Sequence, residues 1–272
     1  MKVSSLGYRT DLMILELEGA LIEDRGDCLV IRSPRNPDFW WGNFLLVPAL
    51  APGEVADVAA RFAAEFPGAG HVAIGVGSPG ASVPDAAELA AAGLGCERSV
   101  VLTAGQRELR PPRQPNAEAT YRALAGDDDW EQAVRLRAAI SEGGPSGGDS
   151  EFNRARVAAE RALTEAGHAT WHGAFLGEAL VAQLGVVPDA ASGLARYQNV
   201  ETHPGFRQRG LAGTLTWHAG REALASLGPA GKLVIVADPD YVAISVYRSV
   251  GFTDAESHIG LQRPQADRGP GR

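Results

Sequence analysis

Val200-Glu201-Thr202-His203-Pro204-Gly205-Phe206-Arg207-Gln208-Arg209-Gly210-Leu211-Ala212-Gly213 joins a strand-like segment, Leu194 to Val200, to a helix-like segment that runs to Leu227 and stops at Gly228-Pro229. A strand, a short basic glycine loop and a helix make a ready anion site. The first turn of a helix carries unpaired backbone N–H groups and a partial positive charge, so an anion placed there is held by the backbone itself. Gly210 has no side chain to obstruct the approach. Arg207 and Arg209 add positive charge to an otherwise acidic chain.

The loop lacks the common phosphate signatures. A P-loop needs Lys-Ser or Lys-Thr after its second glycine, and Leu211-Ala212 stand here. The dinucleotide fingerprint needs GxGxxG, and here one early glycine follows two basic residues. The loop resembles the Arg/Gln-x-x-Gly-x-Gly/Ala loop of the GNAT N-acetyltransferases, whose amides bind the pyrophosphate of acetyl-CoA. Val200-x-Thr202-x-Pro204 is similar to the end of that family's fourth strand. The alternative is an ordinary strand-to-helix turn.

A second stretch keeps the same register. Leu233 to Asp238 reads as a buried strand, and Pro239-Asp240-Tyr241-Val242-Ala243-Ile244-Ser245-Val246-Tyr247-Arg248-Ser249-Val250-Gly251-Phe252 reads as a helix with Pro239 at its start and Gly251 at its end. The family's corresponding helix has an Asn, an Ala three residues on, a Tyr seven on, and Gly-Phe after it. Asp240, Ala243, Tyr247, Gly251 and Phe252 follow that order, with Asp in place of Asn. The resemblance implies an α/β fold with a mixed sheet, the GNAT-like acyl-CoA N-acyltransferase fold, in two tandem copies. It implies acetyl-CoA as acyl donor, held by Val200, Thr202, Arg207, Gln208, Arg209, Gly210, Leu211, Ala212, Gly213, Asp240 and Ala243.

Composition is consistent with this. The chain has 272 residues, 45% of them hydrophobic, and a net charge of −8. Ten Lys and Arg face fourteen Asp and Glu up to Gln114, and fifteen face nineteen after it. Neither half is a basic nucleic-acid module, and a cationic acceptor suits the charge better than a polyanion. Cys28 and Cys96 match no metal spacing and are expected as free thiols. No apolar run approaches the ~18 residues of a membrane span. A cytoplasmic protein with no membrane partner, no nucleic acid and no metal is the expectation; the oligomeric state is open.

In chain order, Leu12 to Leu17, Cys28 to Ile31 and Phe39 to Val47 read as strands, Glu54 to Phe66 as an amphipathic helix, His71 to Val76 as a strand, Pro84 to Ala92 as a short helix, and Arg98 to Thr103 as a strand. This order echoes the later half and suggests a degenerate GNAT-like domain, 1–112, lacking the two early helices and the phosphate loop. Gly75-Val76-Gly77-Ser78-Pro79-Gly80 fits GxGxxG, but Pro79 disfavours a helical Ser78, so it reads as a loop. Asn36 to Asn43 is the aromatic high point of this half, as core or as a pocket wall. Gln106 to Pro115 reads as a linker.

The second domain, 113–272, is predicted to run strand 120–124, helix 130–141 behind Asp127-Asp128-Asp129, a glycine-rich loop 143–148, helix 151–166, strands 168–175, 179–187 and 194–202, then the two stretches above. His258 to Leu261 closes its sheet, and Pro264 to Arg272 forms a tail. The six histidines make no ligand set.

Amine acetylation needs an anchored donor, a hydrogen-bond donor for the thioester oxygen, a proton for the leaving thiolate and a proton acceptor for the amine. The loop anchors; a backbone N–H at 200–202 serves the oxygen if that strand splays from strand 233–238. Tyr247 is the candidate acid and Glu201 the candidate base, directly or through water. The function implied is acetyl-CoA-dependent transfer of acetyl to a primary amine of a small molecule or a protein by direct attack. The alternative is a non-catalytic CoA-binding sensor or interaction module.

Overall fold

The computed structural model of the chain describes residues 1–37, 39–141 and 151–263. The predicted loop 143–148, the tail 264–272 and Asp38 lie outside the described residues. The chain forms two compact units: Met1–Val101 with Ala255–Arg272, and Leu102–Asp254.

In the first unit Ser5 caps α1 (Leu6–Leu17) by accepting from the Tyr8 N–H. The sequence reading of Leu12 to Leu17 as a strand is thus corrected. Tyr8, Leu12 and Leu15 recur at helical spacing and share one buried cluster, and that periodicity, with the cap, outweighs the strand-like Leu-Met-Ile-Leu run. The sheet contains β1 (Leu21–Asp24), β2 (Leu29–Arg32), β3 (Phe44–Val47), β4 (Val72–Val76) and β11 (Thr253–Arg263), in the order β1-β2-β3-β4-β11. Along β3, Leu45 and Val47 join the cluster that also holds Val55, Val58 and Phe62 of α2 (Val55–Glu65) and Leu89 of α3 (Ala86–Ala92). Phe44 and Leu46 join the cluster of α1. Period-two alternation therefore covers both faces, the condition under which a parallel pair such as β3–β4 survives.

The Gly75–Gly80 segment makes no helix. β4 ends at Val76, and α3 begins only after Asp85, whose side chain accepts from Ala87 N.

β11 differs from expectation. Its Ile259 and Leu261 sit opposite Val76 and Ile74 in an antiparallel ladder with β4, rather than closing the later sheet. Tyr8 donates its hydroxyl to the Ile259 carbonyl at 2.6 Å, and Glu256 accepts from Leu6 N, the first residue of α1. Side-chain burial and helix capping, neither of them local in sequence, settle the pairing.

β5 (Gly95–Gly105) ends in the second unit. There follow β6 (Thr120–Ala123), α4 (Gly126–Ser141), α5 (Glu151–Glu165), β7 (Thr170–Leu176), β8 (Ala179–Asp189), β9 (Leu194–Thr202), α6 (Leu211–Leu227), β10 (Lys232–Ala237) and α7 (Ala243–Ser249). Strand order is β10-β9-β8-β7-β6. Leu180 to Val187 are all buried, because helices cover this sheet too. After α7 the chain passes Gly251 at φ +109°, where a Cβ would lie 1.9 Å from the Glu108 carbonyl oxygen; only glycine fits this approach.

Three tyrosines tie stability to alkaline pH. Burial raises the Tyr8 phenol well above its ordinary value, does the same at Tyr197, and pushes Tyr247 up to about 12. Below about pH 10 folded and unfolded chains both keep these protons. Above it the unfolded chain loses them first, so stability falls as pH rises, by up to about 1.4 kcal/mol per pH unit for each tyrosine. Burial also raises the Cys28 and Cys96 thiols, so urea midpoints should decline gently from about pH 8.5 and steeply above about pH 10; a midpoint unchanged at pH 11 contradicts this.

Candidate functional site

The β9–β10 pair is parallel, but its register covers only Leu194–Arg196 against Lys232–Val234. Beyond Arg196 the two strands part. A break in β9 accompanies the parting: Gln183 faces Glu201 and Gly185 faces Gln198, so β9 carries one extra residue between them. Asn199 within this bulge has φ +49°. A bulge bends its strand and re-aims side chains, and here it frees backbone groups of β9 just before Val200 to Thr202.

After β9, His203 accepts the Gly205 N–H on its ring nitrogen at 3.1 Å and opens a one-turn 3-10 helix, Pro204–Phe206. Gln208 at φ +61° and Gly210 at φ +74° then turn the chain into α6. A left-handed glutamine is uncommon and marks a constrained loop. Gly210 caps α6 with no side-chain hydrogen bond. Thr214 N is satisfied by the Gly210 carbonyl at 3.1 Å, which leaves the N–H groups of Leu211, Ala212 and Gly213 without a capping side chain. A Cβ at Gly210 would meet the Gln114 carbonyl oxygen at 2.8 Å.

The equivalent corner of the first unit is built differently. There β3 and β4 remain paired through Val47–Val76, and Gly77 N extends the ladder to the Val47 carbonyl at 2.7 Å. Ahead of α2, Ala51 N is bound by the Glu54 carboxylate and Gly53 N by the Glu88 carboxylate, both at 2.8 Å. Two carboxylates of the protein thus stand on the loop just ahead of α2, where their negative charge disfavours an anion.

In the second unit one cleft of about 780 Å³ gathers Val200, Glu201, Thr202, Arg207, Gln208, Gly210, Leu211, Ala212, Gly213, Ala243 and Tyr247. Arg209 and Asp240 do not line it. Arg209 pairs with Glu118. Asp240 sits in an exposed turn, its N–H on the Asp238 carboxylate at 2.8 Å. The helix expected from Pro239 begins only at Ala243, because Asp238 closes a turn across Pro239-Asp240 and satisfies the donor a helix would leave open.

Tyr247, on α7, is 6% exposed and borders the cleft. Burial, reinforced by neighbouring Tyr241, raises its phenol to about 12. It stays protonated at neutral pH and can only donate to a developing anion. Glu201 borders the cleft as well, held by a buried network. The Arg137 guanidinium of α4 binds both its oxygens, Nε to Oε1 at 3.1 Å and Nη2 to Oε2 at 3.2 Å, and Gln183 donates to Oε2 at 2.6 Å. A carboxylate has about four acceptor positions, so one on Oε1 is left. Arg137 Nη1 also binds Glu160 Oε1 at 2.9 Å, and Asn199 Nδ2 donates to that oxygen at 2.6 Å. Burial raises the Glu160 carboxyl above its usual value against the pull of Arg137.

Sequence reasoning missed part of the cleft. Pro112, Arg113 and Gln114, read as linker, form one wall, and Ile140, Phe206, Tyr241, Val242 and Val246 contribute apolar lining. Arg137, Gln183 and Asn199 had no local signal, since the network joins four elements. Among the described residues no His, Cys, Asp and Glu group is arranged to hold a metal ion, and no helix is long and apolar enough to cross a membrane.

No protein-family model and no curated protein matches the chain. Solved structures do, over nearly its whole length. A GCN5-related N-acetyltransferase from Kribbella flavida is 17% identical, with 97% of this chain and 98% of that one covered at a TM-score of 0.64. A tandem GNAT protein from the clavulanic acid biosynthesis pathway is 14% identical, with 98% and 90% covered at 0.57. A conserved protein of unknown function from Staphylococcus epidermidis is 9% identical, with 91% and 95% covered at 0.71. The chain thus has the mixed α/β fold of the GNAT N-acetyltransferases. Among its structural neighbours is a tandem GNAT protein, matched across both halves.

Proposed function

We propose that the second unit carries an acetyl-CoA-dependent N-acetyltransferase site and that the first is a degenerate copy without one. One observation carries the reading: the parted β9 and β10 open onto the uncapped first turn of α6 within a single cleft. The residues fit the donor. The N–H groups of Leu211 to Gly213 suit a diphosphate, and the apolar rim at Val242, Ala243 and Val246 suits the arm that follows. Bound there, acetyl-CoA supplies the activated acetyl group.

The protein's own groups then have separable tasks. A backbone N–H of Val200 to Thr202, released from the β10 ladder, donates to the oxygen on which charge develops. Tyr247 donates its proton, or a hydrogen bond, to the departing sulfur. Glu201 offers its remaining Oε1 lone pair to the acceptor's ammonium or to a water that carries the proton away. Arg137 and Gln183 fix that carboxylate in place. The acceptor is a primary amine on a small molecule or a protein.

The engagement of Glu201 by Arg137 and Gln183 also favours a second reading, a CoA-binding sensor with no turnover. Thiol release from acetyl-CoA over a panel of amines, beside calorimetry with CoA, separates the two. Release with at least one amine supports the enzyme; tight binding with none supports the sensor. Calorimetry should also give one CoA per chain, because in the first unit β3 and β4 stay paired through Val47–Val76 and the Glu54 and Glu88 carboxylates stand ahead of α2. Two equivalent sites would contradict that assignment.

A further inference from the structure

The cation that the α6 terminus needs comes from an unexpected place. Of the two arginines in the loop, Arg209 is committed to Glu118 and lies outside the cleft. Arg207 lines the cleft but directs its Nε to the Thr202 carbonyl at 3.3 Å. A third guanidinium borders the same cleft. Arg113 is exposed and makes no hydrogen bond or ion pair with the described residues. Its chain neighbours bracket the start of α6: the Gln114 carbonyl is 2.8 Å from where a Gly210 Cβ would sit, and Pro112 Cβ is 3.6 Å from where a Gly213 Cβ would sit. Residue 113 therefore passes directly over the turn whose N–H groups are open.

The crossing is held in place. Asn116 donates its side-chain amide to the Arg209 carbonyl at 2.9 Å, and its backbone N–H goes to Thr214 Oγ at 3.0 Å. Thr214 Oγ in turn donates to the Gly210 carbonyl at 2.9 Å. The segment before β6 is thus fastened to both the loop and the helix.

We infer that Arg113 is a binding residue for the diphosphate of CoA, its guanidinium pairing with the phosphoryl oxygens that the α6 amides hold from the other side. This rests on the reading of the cleft as a CoA site. A planar guanidinium with its five donors free suits two adjacent phosphoryl groups. An excess of negative charge over the rest of the chain makes a local cation necessary for a polyanionic ligand.

The test is calorimetry on the full chain with CoA and with dephospho-CoA, for wild type, Arg113→Ala, Arg113→Lys and the charge control Arg107→Ala. Arg113→Ala is expected to weaken CoA binding about tenfold or more, the scale of a lost charge-assisted hydrogen bond. Arg113→Lys should lose less, Arg107→Ala nothing. The same loss is expected with dephospho-CoA, and thermal melts of all variants should match wild type because the residue is exposed. Equal affinity of wild type and Arg113→Ala overturns the inference while leaving the CoA site standing. So does a loss seen with CoA but absent with dephospho-CoA, which would place Arg113 on the 3′-phosphate. Failure of wild type to bind either ligand overturns the site and the inference together.

Discussion

Tyr247→Phe is expected to lower turnover by about 10²-fold or more, the contribution of a positioned general acid, while the affinity for CoA and the thermal midpoint stay near wild type. The separation follows from the surroundings of the residue. The ring is buried edge-on against Phe252, so its apolar body serves the core and phenylalanine keeps it. The hydroxyl makes no hydrogen bond to the described residues, so its removal strands no partner. What is lost is the donor at the mouth of the parted strands. With the phenol raised to about 12, ionisation of Tyr247 should not produce a fall in turnover below about pH 11, and any alkaline limb nearer neutrality must come from another group. Rates measured with whichever amine the panel identifies decide the matter. An unchanged kcat in Tyr247→Phe removes the residue from the chemistry.

Arg137→Ala is expected to destabilise the second unit by about 3–5 kcal/mol, the cost of leaving buried charge uncompensated. At about 2–4 °C per kcal/mol for a unit of this size, the thermal midpoint should fall by about 10 °C. One guanidinium at present serves two carboxylates, Glu160 and Glu201, with Asn199 and Gln183 completing the set. Without it, Glu160 is left buried beside a second acid. Its carboxyl is already raised by burial, and the variant raises it further, so the folded variant binds a proton that the unfolded chain releases above about pH 4.3. Stability from such a group is present at low pH and lost as pH rises. The deficit of Arg137→Ala should therefore be smaller at pH 5 than at pH 8. Melts at both values test it, and a fall under 2 °C at pH 8 would mean that the network carries no net weight. Because Glu201 and the bulge at Asn199 lie in the same network, the variant should also lose turnover in the protein that remains folded.

How much was legible depended on how local the signal was. The β9–loop–α6 segment could be read because strand propensity, the Gly210 cap and the helix all lie within a few residues of each other. Tyr247 was singled out by its place in the GNAT-like register of Ala243, Tyr247 and Gly251, and it borders the cleft. Asp240 does not, because the turn at Asp238 delays the helix by one turn relative to Pro239. Leu12 to Leu17 misled as a strand, since its apolar run shows no clear period until Tyr8 is counted with it. Arg113 was hidden in a Pro- and Arg-rich stretch that carries no periodicity, and only packing against Gly210 and Gly213 gives that stretch a role.

The order of residues by itself determined the strand, loop and helix between Leu194 and Leu227 and the short helix that carries Tyr247, because backbone hydrogen bonding and side-chain periodicity act over one or two turns. The tertiary structure alone decided that the last strand joins the first unit, that β9 leaves β10 after three pairs, and that Arg137 binds acids from two different elements. Those outcomes depend on which buried surfaces and charges find partners at separations from 23 residues, Arg137 to Glu160, to 251, Tyr8 to Ile259, and such partners become adjacent only once the chain has closed on itself.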